Sequence, residues 1–194
     1  IEKIQKFSPD LVISFSYNRV IQSDIIKITK YAVNFHGSIL PNYRGSHALN
    51  WQIANGETVG GVSVHELTNK IDEGVIYKLG KFDILENDDA NSVLKKIVEC
   101  SIPLLEKFFS DLSIDNVTYI EQVTNGNEFI CRKRTENDGE IKPEMSVSQV
   151  INLSRALVHP WPGVYYFMNN QRVTIDKALS IDEAKEILDY LREQ

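Results

Sequence analysis

Two apolar runs, Leu11–Phe15 and residues 31–35, constrain this chain more than any other feature. The first is continuous and bounded by turn signals, the second opens on the apolar Tyr31 to Val33, and both read as buried strands of a parallel sheet. Ser8-Pro9-Asp10 breaks a short helical pattern ahead of the first run. Between the runs lie a loop at 16–19 and a helix predicted from a Ser23 or Asp24 cap to Lys30. Strand, helix and strand at this spacing make a βαβ unit and imply a parallel sheet. Ligands of such sheets bind beyond the carboxyl ends of the strands. The loop after Phe15 and the stretch after residue 35 are therefore expected on one edge.

That second stretch, residues 34–45, reads NFHGSILPNYRG and stops looking structural. Asn34 and His36 are two apart, so an extended backbone turns both side chains to one face and Phe35 to the other. Ser38, Pro41 and Gly45 then mark a turn-rich segment. An amide can hold a carbonyl oxygen, and an imidazole can move a proton near neutral pH. The bland alternative is that both simply bond local turn backbone. Asp72 bears on the choice. It lies in the Gly-flanked loop Ile71-Asp72-Glu73-Gly74, beyond an alternating strand at 59–67. A carboxylate beside His36 would stabilise its charged form and orient its ring. Acyl transfer to an amine needs such a set, because the amine loses a proton while the carbonyl oxygen gains charge.

The rest of the chain reads as scaffold. A helix is expected over 47–55, a strand over 75–84, and a long amphipathic helix capped by Asp88 or Asp89. Pro103 is expected to kink or divide that helix. Residues 117–123 look strand-like and 132–139 form a charged loop. A helix at 146–157, a hairpin turning at Asn169-Asn170 and a charged C-terminal helix follow. The 194 residues hold one sizeable domain with a small appendage. Cys100 and Cys131 lie far apart without Cys-x-x-Cys spacing, so neither a disulfide framework nor a metal site is expected. No apolar run nears the roughly 18 residues of a membrane span. A net charge of −6 gives no general attraction to nucleic acid or anionic lipid. These features suit a reducing cytoplasm.

NFHGSILPNYRG resembles the Asn-x-His-x-Ser-Leu-Leu-Pro-x-x-x-Gly signature of the folate-dependent formyltransferases. GVSVHELTNKIDEGVI is similar to that family's next strand and its Leu-Asp-Thr-Gly loop. RKRTENDGEI and NLSRALVHPWPGVYY resemble, more weakly, the C-terminal domain of the methionyl-tRNA and aminoarabinose-type members. The resemblance implies an α/β fold with a Rossmann-like parallel sheet whose first strands lie ahead of Ile1, and a small C-terminal β-rich domain. It divides the chain into a catalytic domain at 1–112, a linker at 113–130 and a C-terminal domain at 131–194. It implies Asn34, His36 and Asp72 as the catalytic trio and 10-formyltetrahydrofolate as formyl donor. On its pattern Phe15, Ser16, Tyr17, Asn18, Val20, Ile21 and Ile71 hold the folate, while Ser38, Tyr43, Arg44 and Gly45 lie on the acceptor side. Ile39 stands for Leu and Glu73 for Thr, neither a reactive group.

The acceptor implied is a primary amine. Residues 113–194 hold 13 acidic and nine basic side chains, a poor platform for tRNA. The cluster Arg132-Lys133-Arg134 is the exception, and such runs are commonly solvated loops. His65 is similar to the sugar-modifying members, though a strand histidine that merely packs reads the same way. An amino sugar on a nucleotide carrier is thus favoured over methionyl-tRNA. Hydrolysis of the formyl donor and a non-catalytic folate-binding module are the other readings.

Overall fold

The computed structural model describes residues 2–17, 19 and 21–194. They form two compact units, each assembled from separate stretches. Ile1–Gly45, Gly60–Phe82 and Ile97–Ile130 make the first, and Ser46–Val59, Asp83–Lys96 and Cys131–Gln194 the second.

In the first unit, helix α1 (Glu2–Phe7) leads into β1 (Leu11–Phe15), α2 (Ser23–Ile26) and β2 (Tyr31–His36). β1 and β2 pair in parallel, Leu11 opposite Tyr31 and Phe15 opposite Phe35, as the βαβ reading requires. The crossover helix is shorter than expected. Its cap position is Gln22, whose side chain makes no capping bond, and α2 ends at Ile26. Residues 25–29 carry three isoleucines and a threonine, β-branched side chains that propagate a helix poorly. Thr29 Oγ1 instead donates to the Ile26 carbonyl at 3.2 Å and helps close the turn.

After the short strand β3 (Arg44–Gly45) and helix α3 (Ala48–Ala54) come β4 (Val59–Glu66) and β5 (Ile76–Asp83). The four-stranded sheet has the order β1-β2-β4-β5. It is mixed and not wholly parallel, because β4 runs antiparallel to β2. β1 is also not the buried strand expected, since Ile13 and Phe15 are exposed. As the end strand of the order it has one neighbour, and so one edge without a partner strand among the described residues. β4 has a neighbour on each side, and its residues 60–65 are buried on both faces. Gly74 lets the chain return against it. A Cβ there would lie 2.1 Å from the Glu66 carbonyl oxygen, and Glu66 N–H donates to Val75 O at 2.9 Å.

Helix α4 (Ala90–Ser113) runs through Pro103 without interruption, contrary to a division there. Pro103 lies on the exposed side, where one lost ladder bond costs least. Within the first unit its buried stripe includes Ile97, Ser101 and Phe108. The Phe108 ring lies 5.4 Å from that of Tyr77 and 6.3 Å from that of Tyr31. Residues 117–123 form no regular strand. A single antiparallel bridge joins Ile120 to Ile76, while Tyr119, Ile120 and Val123 stay exposed with no face to bury.

The second unit holds α3, β6 residue Cys131 (β6 is Ile130–Cys131), α5 (Val147–Ala156), β7 (Val164–Met168), β8 (Gln171–Ile175) and α6 (Ile181–Arg192). β7 and β8 form the expected hairpin, with Asn169 and Asn170 at φ 50° and 63° in its two-residue turn. Ser146 and Ser180 cap α5 and α6 through capping boxes with Gln149 and Glu183. Asn50 of α3 donates to the Ala156 carbonyl at 2.7 Å. Among the described residues no helix is long and apolar enough to cross a membrane.

Phe108 is fully buried and Ile102 is 54 % exposed, so the two test the packing directly. Phe108→Ala is expected to cost about 3–5 kcal/mol in urea unfolding. Ile102→Ala is expected to stay within about 0.5 kcal/mol of the parent.

Candidate active site

Register creates the site. In the antiparallel β2–β4 pair Asn34 stands opposite His65, and His36 opposite Ser63. Cross-strand neighbours on one face lie within side-chain reach. Asn34 Nδ2 and His65 Nε2 are accordingly 3.2 Å apart. The loop after β4 brings Asp72 between the two imidazoles. Its Oδ1 lies 3.3 Å from His65 Nε2 and its Oδ2 lies 3.5 Å from His36 Nδ1. Gly45 N–H donates to the same Oδ2 at 2.8 Å. Asp72 takes up a left-handed backbone, φ 53°, and its side chain is only 12 % exposed. Gly45, at φ 102°, occupies a conformation that favours glycine.

The hydrogen bonds identify which ring nitrogens carry protons. His36 Nε2 lies 2.7 Å from the Tyr43 carbonyl, which only accepts, so Nε2 is the donor. His65 Nδ1 lies 2.8 Å from the Glu66 carbonyl and is likewise a donor. His36 Nδ1 and His65 Nε2 therefore both face the Asp72 carboxylate. A His65 protonated on Nδ1 alone accepts from Asn34. A doubly protonated His65 instead donates Nε2–H to Asp72 and no longer accepts from Asn34.

Burial pushes the His36 pKa below its ordinary value, against the opposing pull of Asp72 and the Tyr43 carbonyl. Asp72 is also buried, which disfavours its charge, yet its carboxyl sits below the usual range. The His65 ring, the charge of His36 and the Gly45 N–H outweigh burial there. The two directions pull against each other in one respect, because a neutral His36 lends Asp72 no charge. The His65 and Gly45 contacts do not depend on that charge. The resting arrangement is thus an ionised carboxylate facing a neutral His36.

Behind the site, the 38–42 turn is knitted to β4. Ser38 Oγ donates to the Asn42 carbonyl and Ser63 Oγ to the Ser38 carbonyl, each at 2.7 Å, while Leu40 N–H donates to Ser63 Oγ at 3.0 Å. Ser38 is fully buried, so its hydroxyl shapes the turn from inside. Tyr43 is buried as well, presents its carbonyl to His36, and has its N–H donating to Phe129 O at 2.7 Å. Arg44 points at Gln122, with Nε and Nη2 donating to Oε1 at 3.1 and 2.7 Å, and Nη1 stands 3.8 Å from Glu73. Phe15 at the end of β1 and Tyr17 and Ile71 beyond the strands are 45, 57 and 66 % exposed, and Ser16 adopts φ 52°. Ile21 is half-buried. Asn18 and Val20 lie outside the described residues.

Two residues of the site carry little signal in the sequence. His65 was legible through the strand alternation, but only antiparallel pairing puts it against Asn34. Gln122 lies in the strand-like stretch 117–123, and nothing in that pattern marks its amide as part of a site. In the second unit the basic cluster is not simply solvated. Arg132 pairs with Asp138, and the Arg132 and Arg134 guanidinium carbons lie 5.1 and 4.8 Å from the Trp51 ring centre.

A family model described as "Formyl transferase" matches residues 1–105, and one described as "Formyl transferase, C-terminal domain" matches residues 133–187. The bifunctional polymyxin resistance protein ArnA of Wigglesworthia glossinidia brevipalpis is 35 % identical over 179 residues, 92 % of this chain. The chain spans 27 % of that relative's length. A 4-N formyltransferase from Francisella tularensis superposes with a TM-score of 0.76 at 20 % identity, over 88 % of this chain and 71 % of that one. WlaRD, a sugar 3N-formyl transferase crystallised with dTDP and 5-N-formyl-THF, superposes with a TM-score of 0.71 at 23 % identity, over 87 % of this chain and 62 % of that one. These likenesses establish a shared Rossmann-like α/β fold.

The protonation pattern has a stability consequence. His36 is held below its ordinary 6.5, so the folded state favours its neutral form. That contribution is complete above 6.5 and is lost as the pH falls toward the lowered value, because the unfolded chain binds the proton first. Asp72 adds a second loss below its ordinary 3.8. Urea midpoints are expected to fall between pH 7.5 and 5, and His36→Gln to flatten that slope. An equal slope in the variant would count against the assignment.

Proposed function

The chain belongs to the formyl transferase family, and from that premise we propose that it moves a formyl group from 10-formyltetrahydrofolate to the primary amine of an amino sugar carried on a nucleotide. The observation that carries the reading is Asp72 set between His36 and His65, with Asn34 completing the group. Proton handling of this kind is what amine acylation requires.

The donor supplies an activated formyl carbon when bound. The nitrogen of the amine bonds to that carbon, the bond from carbon to the folate nitrogen breaks, and one proton moves from the amine to the departing nitrogen. His36 is suited to hold the proton in transit. Its Nε2–H is engaged by Tyr43, its Nδ1 is open toward Asp72, and the imidazolium formed there faces a carboxylate. Asn34 donates one amide N–H toward His65 and has a second for the oxygen that gains charge. Asp72 orients the pair, with water completing the transfer. Phe15, Tyr17 and Ile71 offer exposed apolar surface for a flat ring. On this reading Asn18 and Val20 share that cradle, and Ser38, Tyr43, Arg44 and Gly45 shape the acceptor side. WlaRD, a sugar 3N-formyl transferase crystallised with dTDP and 5-N-formyl-THF, supports the amino-sugar acceptor and the folate donor by likeness. The division at 1–112, 113–130 and 131–194 and a cytoplasmic location belong to the same proposal.

Methionyl-tRNA is the second reading, favoured by the Arg132-Lys133-Arg134 cluster. Against it, Arg132 and Arg134 are engaged by Asp138 and Trp51, and the net charge after residue 112 is acidic.

His36→Ala and Asp72→Ala are each expected to lower kcat by about 10²–10⁴-fold, the contribution of positioned acid–base groups, in a folded protein. Near-normal turnover in either sinks the assignment. A screen with formylated folate is expected to show N-formylation of amino-sugar nucleotides and none of Met-tRNA. Formate release without any amine would mark hydrolysis, and folate binding without turnover a non-catalytic module.

A further inference from the structure

Gln122 has all four hydrogen-bonding positions of its amide occupied, and every partner belongs to the candidate site. Its Nε2 donates to the Asp72 carbonyl at 2.8 Å and to the Gly74 carbonyl at 2.7 Å. Its Oε1 accepts from Arg44 Nε and Nη2 at 3.1 and 2.7 Å. Residue 122 falls in neither stretch matched by the family models, 1–105 and 133–187. It sits two residues beyond Ile120, whose backbone bridges Ile76, so its own backbone is anchored beside the start of β5.

We propose that Gln122 is a positioning residue for the reaction, clamping the left-handed Asp72 loop so that its carboxylate stays registered between His36 and His65. The inference rests on the proposed formyl transfer. Asp72 needs such support because a left-handed backbone at a non-glycine residue costs free energy and persists only where its surroundings over-determine it. Gly45 N–H fixes the carboxylate itself. The two carbonyls on either side of Glu73 are gripped at once by this single planar amide. Arg44, partly fixed by Glu73 at 3.8 Å, aligns that amide by occupying its oxygen. The amide orientation follows from these partners: carbonyls accept and a guanidinium only donates, so one placement of nitrogen and oxygen satisfies all four bonds.

Two variants separate the halves of the clamp. Gln122→Met keeps the shape and removes every hydrogen bond. Gln122→Glu keeps an acceptor for Arg44 and sets a carboxylate against two carbonyls. Both are expected to lower kcat by about 10–100-fold, since a displacement near 1 Å can cost that much. KM for the donor is expected to change less than about threefold, while KM for the amine also reports the lost Arg44 contact. A readout without turnover is histidine titration by ¹H–¹⁵N NMR. The Nδ1 side of His36 faces Asp72, its ring lies 6.3 Å from that of His65, and its Nε2 faces the Tyr43 carbonyl. A displaced Asp72 withdraws support for the imidazolium, so the His36 midpoint is expected to fall in Gln122→Met. Folded variants with kcat within about twofold of the parent and an unmoved His36 midpoint would overturn the clamp, since positioned geometry governs both. A parent that turns over no amine would overturn the formyl-transfer reading, while the histidine titration still decides the clamp.

Discussion

One carboxylate between two imidazoles is the interaction on which the rest of the first unit depends. Buried charge is costly unless it is paired and hydrogen-bonded. The Asp72 carboxylate meets that requirement through the Gly45 N–H, and through the His65 and His36 rings whenever the nitrogens that face it are protonated. Each partner comes from a different place in the chain. β2 contributes His36, β4 contributes His65, and Gly45 ends the turn-rich stretch. The mixed sheet is what allows this meeting. Antiparallel pairing of β2 with β4 places Asn34 across from His65, and the return along β5 drops residues 71–74 at the same end.

Tightness behind the site follows from the same economy of groups. Ser38 and Ser63 are fully buried, yet their hydroxyls are bonded inside the turn, so neither is left as an unsatisfied donor. The turn thereby becomes a continuation of the sheet. It places the Tyr43 carbonyl where His36 Nε2 needs it, and the Gly45 N–H where Asp72 needs it.

How much of this was legible in the sequence can be argued residue by residue. The βαβ unit was legible because apolar runs and turn residues are local signals, and β1 and β2 pair as the pattern demands. The face shared by Asn34 and His36 was legible because strand alternation is local too. Strand direction was not. Nothing in residues 59–66 distinguishes antiparallel from parallel addition, and that choice made His65 a neighbour of Asn34. Burial of β1 was misjudged because an apolar run does not record how many strands flank it. The extent of α2 was misjudged because polar caps at Ser23 and Asp24 look favourable while the isoleucines behind them propagate poorly. Gln122 was invisible, since its partners are backbone carbonyls and an arginine far away in sequence.

The Tyr43 carbonyl has a consequence for proton traffic. With Nε2–H committed to a backbone oxygen 2.7 Å away inside a buried pocket, His36 cannot turn over its ring without breaking that bond. The imidazole therefore has one working terminal, Nδ1, and it opens onto Asp72. A proton that enters His36 at Nδ1 must leave through the same door. On the proposed reading the residue acts as a reservoir filled and emptied from one side, and not as a wire that passes charge through to the protein interior.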